Sequence, residues 1–225
     1  VKSSSRTPRL SHEPISELTT ARLSVYLRSL DALETAGVNT ISSKDLAEQF
    51  HLNAAQIRKD LAYFGEFGVR GVGYYVKDLR RHLREILGLN RQIKVVIMGA
   101  GNLGLALADY PGFRHDGFEI VALFDVSQDK IGMFTRGGVL VRNAKELDRV
   151  IGREQVEIAV IAVPAAAAQN VVDLVVQAGV KAILNFSPGT PRVPKGIKLK
   201  SVDLTVSLET LSFFLARGGD EDVEA

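Results

Sequence analysis

Gly99-Ala100-Gly101-Asn102-Leu103-Gly104 matches G-x-G-x-x-G, a spacing that suits the diphosphate of a dinucleotide. The pattern alone is common. Here it follows the apolar run Lys94–Met98 and opens a helical stretch, and the acidic Asp125, followed by Val126, closes the next apolar run. That context gives each position a physical use. Gly99 permits a tight turn, Gly101 lets the backbone approach the diphosphate, and Gly104 lets the helix lie close on the strand. The helix N-terminus turns unpaired N–H groups and partial positive charge toward the phosphates. Asp125 can accept both hydroxyls of an adenosine ribose and would repel a 2′-phosphate, which favours NAD(H) over NADP(H) as the cofactor. In an open parallel sheet the ligand lies beyond the C-terminal strand ends, so Val163-Pro164 and Asn185-Phe186-Ser187-Pro188 are expected near the nicotinamide half.

A second constellation lies earlier in the chain. Over residues 54–64, Ile57, Leu61 and Phe64 recur at helical spacing, and the opposite arc holds Ala55, Arg58, Lys59 and Ala62, with Gln56 and Tyr63 at its edge. Small alanines allow a helix backbone to approach a groove, and Arg58, Lys59 and Gln56 can reach phosphates or base edges. Tyr63 can pack on sugar or donate to a phosphate. Asn53 caps this helix. Val69-Arg70-Gly71-Val72-Gly73-Tyr74-Tyr75 is β-rich with flexible glycines, so a hairpin wing is expected, with Arg70, Gly71, Gly73 and Tyr74 placed for a minor groove or the DNA backbone.

The elements around these sites follow from periodicity. Leu23, Tyr26, Leu27, Leu30 and Leu33 predict a first helix ending at Gly37, Ser42 and Ser43 cap a short second one, and a further helix is expected over about Lys77–Leu87. After about residue 90 the pattern changes. Continuous apolar runs at 94–98, 120–124, 158–163 and 182–186 alternate with helical segments near 102–110, 144–151 and 165–178, as in a doubly wound parallel sheet. A short strand at 197–202 and a last helix over about Thr205–Arg217 complete the chain. The predicted fold class is α/β. A winged-helix (helix-turn-helix) domain over 15–90 precedes a Rossmann sheet over 91–203, a C-terminal helix over 204–217 and an acidic tail over 218–225. Polar residues 1–14 are expected to form a flexible tail.

Composition excludes several function classes. The chain has 225 residues, 46% of them hydrophobic and 24% charged, with no cysteine and a net charge of +2. Disulfides, thiolate metal sites and cysteine nucleophiles are therefore absent. No run of about 18 apolar residues free of charge suggests a membrane span, and no P-loop, nucleophile elbow or metal-ligand cluster is present. The basic excess lies in the N-terminal part. Two readings compete with a DNA-binding sensor. One is an NAD-dependent oxidoreductase with a helical accessory domain, although His12, His51 and His82 precede the sheet and His115 follows its first helix, none at a strand end. The other is a coenzyme A or nucleotide-binding module without DNA.

Gln56-Ile57-Arg58-Lys59-Asp60-Leu61-Ala62-Tyr63-Phe64-Gly65 and Arg70-Gly71-Val72-Gly73-Tyr74 resemble the Rex family of redox-sensing transcriptional repressors. So do Gly99–Gly104, Ala108-Asp109-Tyr110-Pro111-Gly112-Phe113, Phe124-Asp125-Val126 and Asn185-Phe186. The resemblance implies a cytoplasmic homodimer on an inverted-repeat operator, repression of genes for NADH-reoxidising metabolism, release from double-stranded DNA when NADH replaces NAD⁺, and a C-terminal helix swapped across the dimer. It implies a ligand-dependent polar switch of Arg28, Tyr110 and Asp203, and it places the family's pocket-filling aromatic at Leu204. With Phe186, Leu204 is expected to line an apolar pocket that prefers the neutral dihydronicotinamide to its cationic oxidised form.

Overall fold

Ser16 opens the first helix by accepting the Thr19 N–H, and α1 (Glu17–Thr35) then buries Leu23, Tyr26, Leu27, Leu30 and Leu33 along one stripe. The computed structural model describes residues 15–217, so the two expected tails lie outside the described residues. The chain divides between Arg91 and Gln92 into two units.

In the first unit α1 is followed by β1 (Thr40–Ile41), α2 (Ser43–Gln49), α3 (Ala54–Phe64), β2 (Tyr74–Tyr75) and α4 (Val76–Ile86). Ser42 caps α2 by accepting from the Asp45 N–H, and Asn53 caps α3 by accepting from the Gln56 N–H. Leu46, Ile57, Leu61, Phe64, Val76, Leu79 and Leu83 meet the α1 stripe in one core. The wing differs from the expected hairpin. Tyr74–Tyr75 pairs antiparallel with Thr40–Ile41, and only a Val69–Gly73 bridge closes the loop itself. Gly73 explains the arrangement. It has φ +93°, and a Cβ there would lie 2.4 Å from the Ile41 carbonyl oxygen, so only glycine lets the returning chain come this close to β1.

The second unit contains β3 (Ile93–Met98), α5 (Asn102–Ala108), α6 (Pro111–His115), β4 (Phe118–Asp125), β5 (Val141–Asn143), α7 (Leu147–Glu154), β6 (Ile158–Ile161), α8 (Ala165–Gln177), β7 (Ala182–Asn185), β8 (Lys198–Ser201) and α9 (Leu204–Ala216). Its six parallel strands run β5-β4-β3-β6-β7-β8, the dinucleotide-fold order with its switch point between β3 and β6. Alternate strand residues serve opposite faces. Val96, Met98 and Phe124 pack with Leu147 and Val150 of α7 and Val172 and Val175 of α8. Val95, Ile97 and Leu123 pack with Ala108 of α5. The strand β5 and the short α6 were not anticipated.

Asp203 caps α9 through the Thr205 and Val206 N–H groups. Its Leu204, Val206, Leu208, Leu211, Phe213, Phe214 and Leu215 are all exposed, as is every other residue of the helix. Among the described residues no helix is long and apolar enough to cross a membrane.

Candidate nucleotide site and nucleic-acid interface

The three fingerprint glycines have three different geometries. Gly99 sits at φ +103°, its N–H donates to the Phe124 carbonyl (2.8 Å), and a Cβ there would lie 2.4 Å from the Ala162 carbonyl oxygen. This glycine therefore lets the ends of β3, β4 and β6 converge. A Cβ on Gly104 would stand 1.8 Å from the Gly99 carbonyl oxygen, so α5 lies as close on the loop as a backbone can. Gly101, the residue before α5, faces open space, with nothing within 4 Å of where a Cβ would be. Beside it begin the exposed Asn102 and Leu103, and the N–H groups of this first turn have no helical partners. An open glycine at a helix N-terminus is what a dinucleotide diphosphate requires, so these residues fit the group.

Asp125 is more committed than its spacing suggested. Oδ1 accepts from the Val126 (2.8 Å) and Ser127 (2.9 Å) N–H groups, while Oδ2 accepts from the Ala100 N–H (2.9 Å) and the Lys130 ammonium (3.2 Å). Burial pushes its pKa up, but the amides of Ser127 and Ala100 and the ammonium of Lys130 outweigh it and hold the carboxylate below its ordinary range. A carboxylate offers about four acceptor positions, and here all four are taken. A further donor could reach Asp125 only by displacing or sharing the Lys130 contact, the one donor of the four on a flexible side chain. Lys130 had no sequence signal beyond its position five residues after the acid. It lines a cleft of about 620 Å³ with Gly101, Asn102, Asp109, Met133 and Phe134. Asp109 holds the far wall through the Arg136 (3.2 Å) and Gly137 (2.7 Å) N–H groups, and its pKa is lowered chiefly by the Thr135 hydroxyl.

Toward the other half of the site, Val163 is half-buried and Pro164 leads into α8. Asn185, expected as a contact, is fully buried. Its Nδ2 donates to the carbonyls of Ser187 (3.0 Å) and Gly189 and to the Ser201 hydroxyl, and its Oδ1 accepts from the Ser187 N–H. Asn185 thus shapes the loop after β7 from beneath. Ser187 does the bridging: its hydroxyl donates to the Val163 carbonyl (2.7 Å), tying the loop after β7 to that after β6. Phe186 is half-buried against the α5 face of the sheet, whereas Val126 is 80% exposed and Leu204 is 61% exposed.

The expected switch residues are all exposed. Arg28 lies on α1, Tyr110 precedes α6, and Asp203 is occupied as the cap of α9. Tyr110 packs edge-on against Phe113 at 5.2 Å. Gly112 makes room for it, since a Cβ there would lie 2.4 Å from the Tyr110 ring. Among the described residues no hydrogen bond joins Tyr110 to Asp203.

On the first unit the structure sorts the expected DNA residues. Lys59 and Arg58 are exposed on α3, and Arg58 Nη1 donates to the Ser43 hydroxyl (2.9 Å) at the start of α2. Arg70 and Gly71 are exposed in the wing, and with Ser43 and Arg58 they border a cleft of about 440 Å³. Three others are placed differently. Tyr74 is buried at 8% exposure, with its pKa raised by that burial, so its ring belongs to the core. Tyr63 is half-buried with its ring against Phe64. Gln56 turns inward, its Nε2 donating to Asp60 Oδ1 at 2.7 Å. Sequence reasoning had put Gln56 at the edge of the outer arc, and a buried acid on the inner arc decided its direction. Asn53 spends its side-chain oxygen on the cap.

Comparison with known proteins agrees with this division. Residues 90–189 match the family described as "CoA binding domain", and residues 14–62 match the one described as "Putative DNA-binding protein N-terminus". A redox-sensing transcriptional repressor Rex of Desulfitobacterium hafniense is 50% identical over 88% of this chain and 94% of its own length. The Rex of Carboxydothermus hydrogenoformans is 51% identical over 90% and 97%. The solved structure of RSP in complex with β-NAD⁺ and operator DNA is 38% identical, covers 91% of this chain and 94% of its own, and superposes with a TM-score of 0.87. RSP in complex with β-NADH superposes with a TM-score of 0.81. At this identity over both units, the chain belongs to the Rex family of redox-sensing transcriptional repressors.

Proposed function

We propose that this chain represses transcription as a cytoplasmic homodimer on an inverted-repeat operator and that NADH, in competition with NAD⁺, releases it. The observation that carries the reading is the continuity of likeness: one relative matching both units at a TM-score of 0.87 holds NAD⁺ and operator DNA together. The open Gly101 and the first turn of α5 hold the diphosphate, and Asp125 with Lys130 receives the adenosine ribose. Phe186 and Leu204 give the nicotinamide half an apolar lining. An aliphatic side chain at Leu204 supplies contact without ring stacking. Such a lining takes a neutral dihydronicotinamide more readily than a cationic ring, because an unpaired buried charge is costly. Arg58, Lys59 and Arg70 face the DNA. The exposed apolar α9 joins the two copies, and Arg28, Tyr110 and Asp203 form the polar switch between the nucleotide and the DNA-reading helices.

Redox sensing requires that the two nucleotides differ in how they favour the DNA-competent dimer. A hundredfold difference corresponds to about 2.7 kcal/mol. The oxidoreductase reading finds no support among the relatives, which are named as repressors, and a coenzyme A module leaves the basic face of α3 without a use. The test is a gel shift on palindromic and random duplexes with NADH or NAD⁺ added. Selective binding to the palindrome, lost with NADH and kept with NAD⁺, is expected. Equal responses to the two nucleotides rule out the sensor.

A further inference from the structure

On the inward face of α3, among Ile57, Leu61 and Phe64, lies a carboxylate. Asp60 is 4% exposed, and an isolated charge so placed would be strongly unfavourable. It is fully partnered. Arg22 of α1 meets it as a two-pronged fork, Nε to Oδ2 at 2.6 Å and Nη2 to Oδ1 at 2.8 Å. Tyr26, one turn further along α1, donates its hydroxyl to Oδ2 (2.9 Å), and Gln56 donates to Oδ1 (2.7 Å). Tyr26 is itself 2% exposed, its hydroxyl pushed up to about 12 by burial and by Asp60.

Stability alone does not call for this arrangement. A seam of well-packed apolar side chains is commonly as stable as a buried ion pair or more so. Apolar contact is non-directional, however, so a purely apolar seam tolerates rotation of one helix against the other. A planar guanidinium gripping a carboxylate does not. Arg58 and Lys59 immediately precede Asp60 in the same helix, and each residue advances the helix by about 100°. The angle at which Asp60 is held therefore sets where Arg58 and Lys59 point. A rotation of about 10° moves a long side-chain tip by about 1 Å, enough to spoil a bidentate base contact.

We infer that Asp60, gripped by Arg22 and Tyr26, is a positioning residue that fixes the rotational setting of α3 and thereby the chain's discrimination between operator and random DNA. The inference rests on the DNA-binding reading above. Phosphate contacts tolerate small displacements and carry no sequence information, whereas base contacts do, so the two kinds of affinity separate on mutation.

The experiment measures binding of the full chain to two duplexes: an inverted repeat selected by the parent protein from a random pool, and a scrambled one of equal length. Asp60→Asn, Tyr26→Phe and the paired change Arg22→Met with Asp60→Leu are compared at a temperature where circular dichroism shows each folded. The paired change refills the seam with apolar groups and keeps the test valid if Asp60→Asn unfolds. Expected is a fall of about tenfold or more in the ratio of selected to scrambled affinity for both Asp60 variants, with scrambled-duplex affinity held within about twofold. The smaller cut in Tyr26→Phe gives an intermediate fall. A paired variant that folds and recovers the parent's ratio would show that Asp60 only fills the seam and would overturn the inference. An unchanged ratio in folded Asp60→Asn overturns it equally. A parent chain that selects no duplex instead defeats the repressor reading, and its own titration tells the two failures apart.

Discussion

Gly101, before α5, and Gly104, within it, should fail in opposite ways when each gains a methyl group. At Gly101 the backbone lies at φ −78° and ψ −177°, a conformation alanine adopts freely, and no atom lies within 4 Å of the added Cβ. Replacing glycine at a compatible site narrows the unfolded ensemble and stabilises by about 0.4–1 kcal/mol. Alanine is a poorer N-cap than glycine by a similar amount. The two nearly cancel, so Gly101→Ala should melt within about 4 °C of the parent. The methyl group nevertheless stands where the diphosphate must approach the backbone, and NADH affinity should fall by at least about tenfold, or about 1.4 kcal/mol. At Gly104 the same methyl meets the Gly99 carbonyl oxygen at 1.8 Å. To relieve that overlap, α5 must retreat by roughly 1.5 Å, an overpacking that costs about 1–3 kcal/mol. Gly104→Ala should therefore lose thermal stability before any ligand is added. Scanning calorimetry and isothermal titration with NADH read the two effects separately. A Gly101→Ala protein that binds NADH like the parent would refute the assignment of this loop to the diphosphate, and one that melts far below it would refute the geometry.

Lys130→Ala strips Asp125 of its neutralising cation while keeping its three backbone donors. Repulsion of a 2′-phosphate should rise, so the ratio of NADPH to NADH dissociation constants should increase by several-fold, and an unchanged ratio would remove Lys130 from the ribose site. Asp60, Asp109 and Asp125 are all held below the ordinary carboxylate range. Their stabilisation is thus complete above an unfolded value of about 4 and is lost as pH falls through the lowered folded values. Thermal melts should show that acid limb, and Asp60→Asn should flatten it. Tyr26, raised from 10 to about 12, works at the other end. Its stabilisation is complete below about pH 10 and is lost as pH rises toward 12, so Tyr26→Phe should flatten the alkaline limb. Leu211→Glu with Phe214→Glu places two charges on the exposed apolar α9 and should convert a dimer to monomer in light scattering. A dimer that survives both changes would place the interface elsewhere.

Much of the fold was legible because its signals are local. Ser42 and Asn53 cap the helices they were expected to cap, and four apolar runs became four adjacent parallel strands. Elements whose reason is tertiary were not legible. β1 has two residues, and only the return of Tyr74–Tyr75 makes it a strand. Val141–Asn143 is a short edge strand at the end of an apolar run of only three residues, Val139–Val141, and depends on pairing with β4. The site divided in the same way. Glycine spacing announces backbone constraints: Gly99 and Gly104 make close backbone approaches, and Gly101 faces open space. Side-chain direction is settled by burial and by hydrogen-bond partners that residue spacing does not announce. Gln56 turns in because Asp60 is buried beneath it, Asn185 turns under its own loop, and Tyr74 is buried in the core of the first unit. Lys130 was invisible because no periodicity marks a turn residue that reaches back five positions to an acid.

The central claim is that the charge on a bound nicotinamide ring governs DNA binding. The most direct measurement is fluorescence anisotropy of a labelled inverted-repeat duplex with the full chain at constant total nucleotide, as the reduced fraction is raised from none to all. The account requires bound duplex to fall steadily as NADH replaces NAD⁺ and to return when the mixture is reoxidised. A level trace, with both nucleotides shown by calorimetry to be bound, would contradict it.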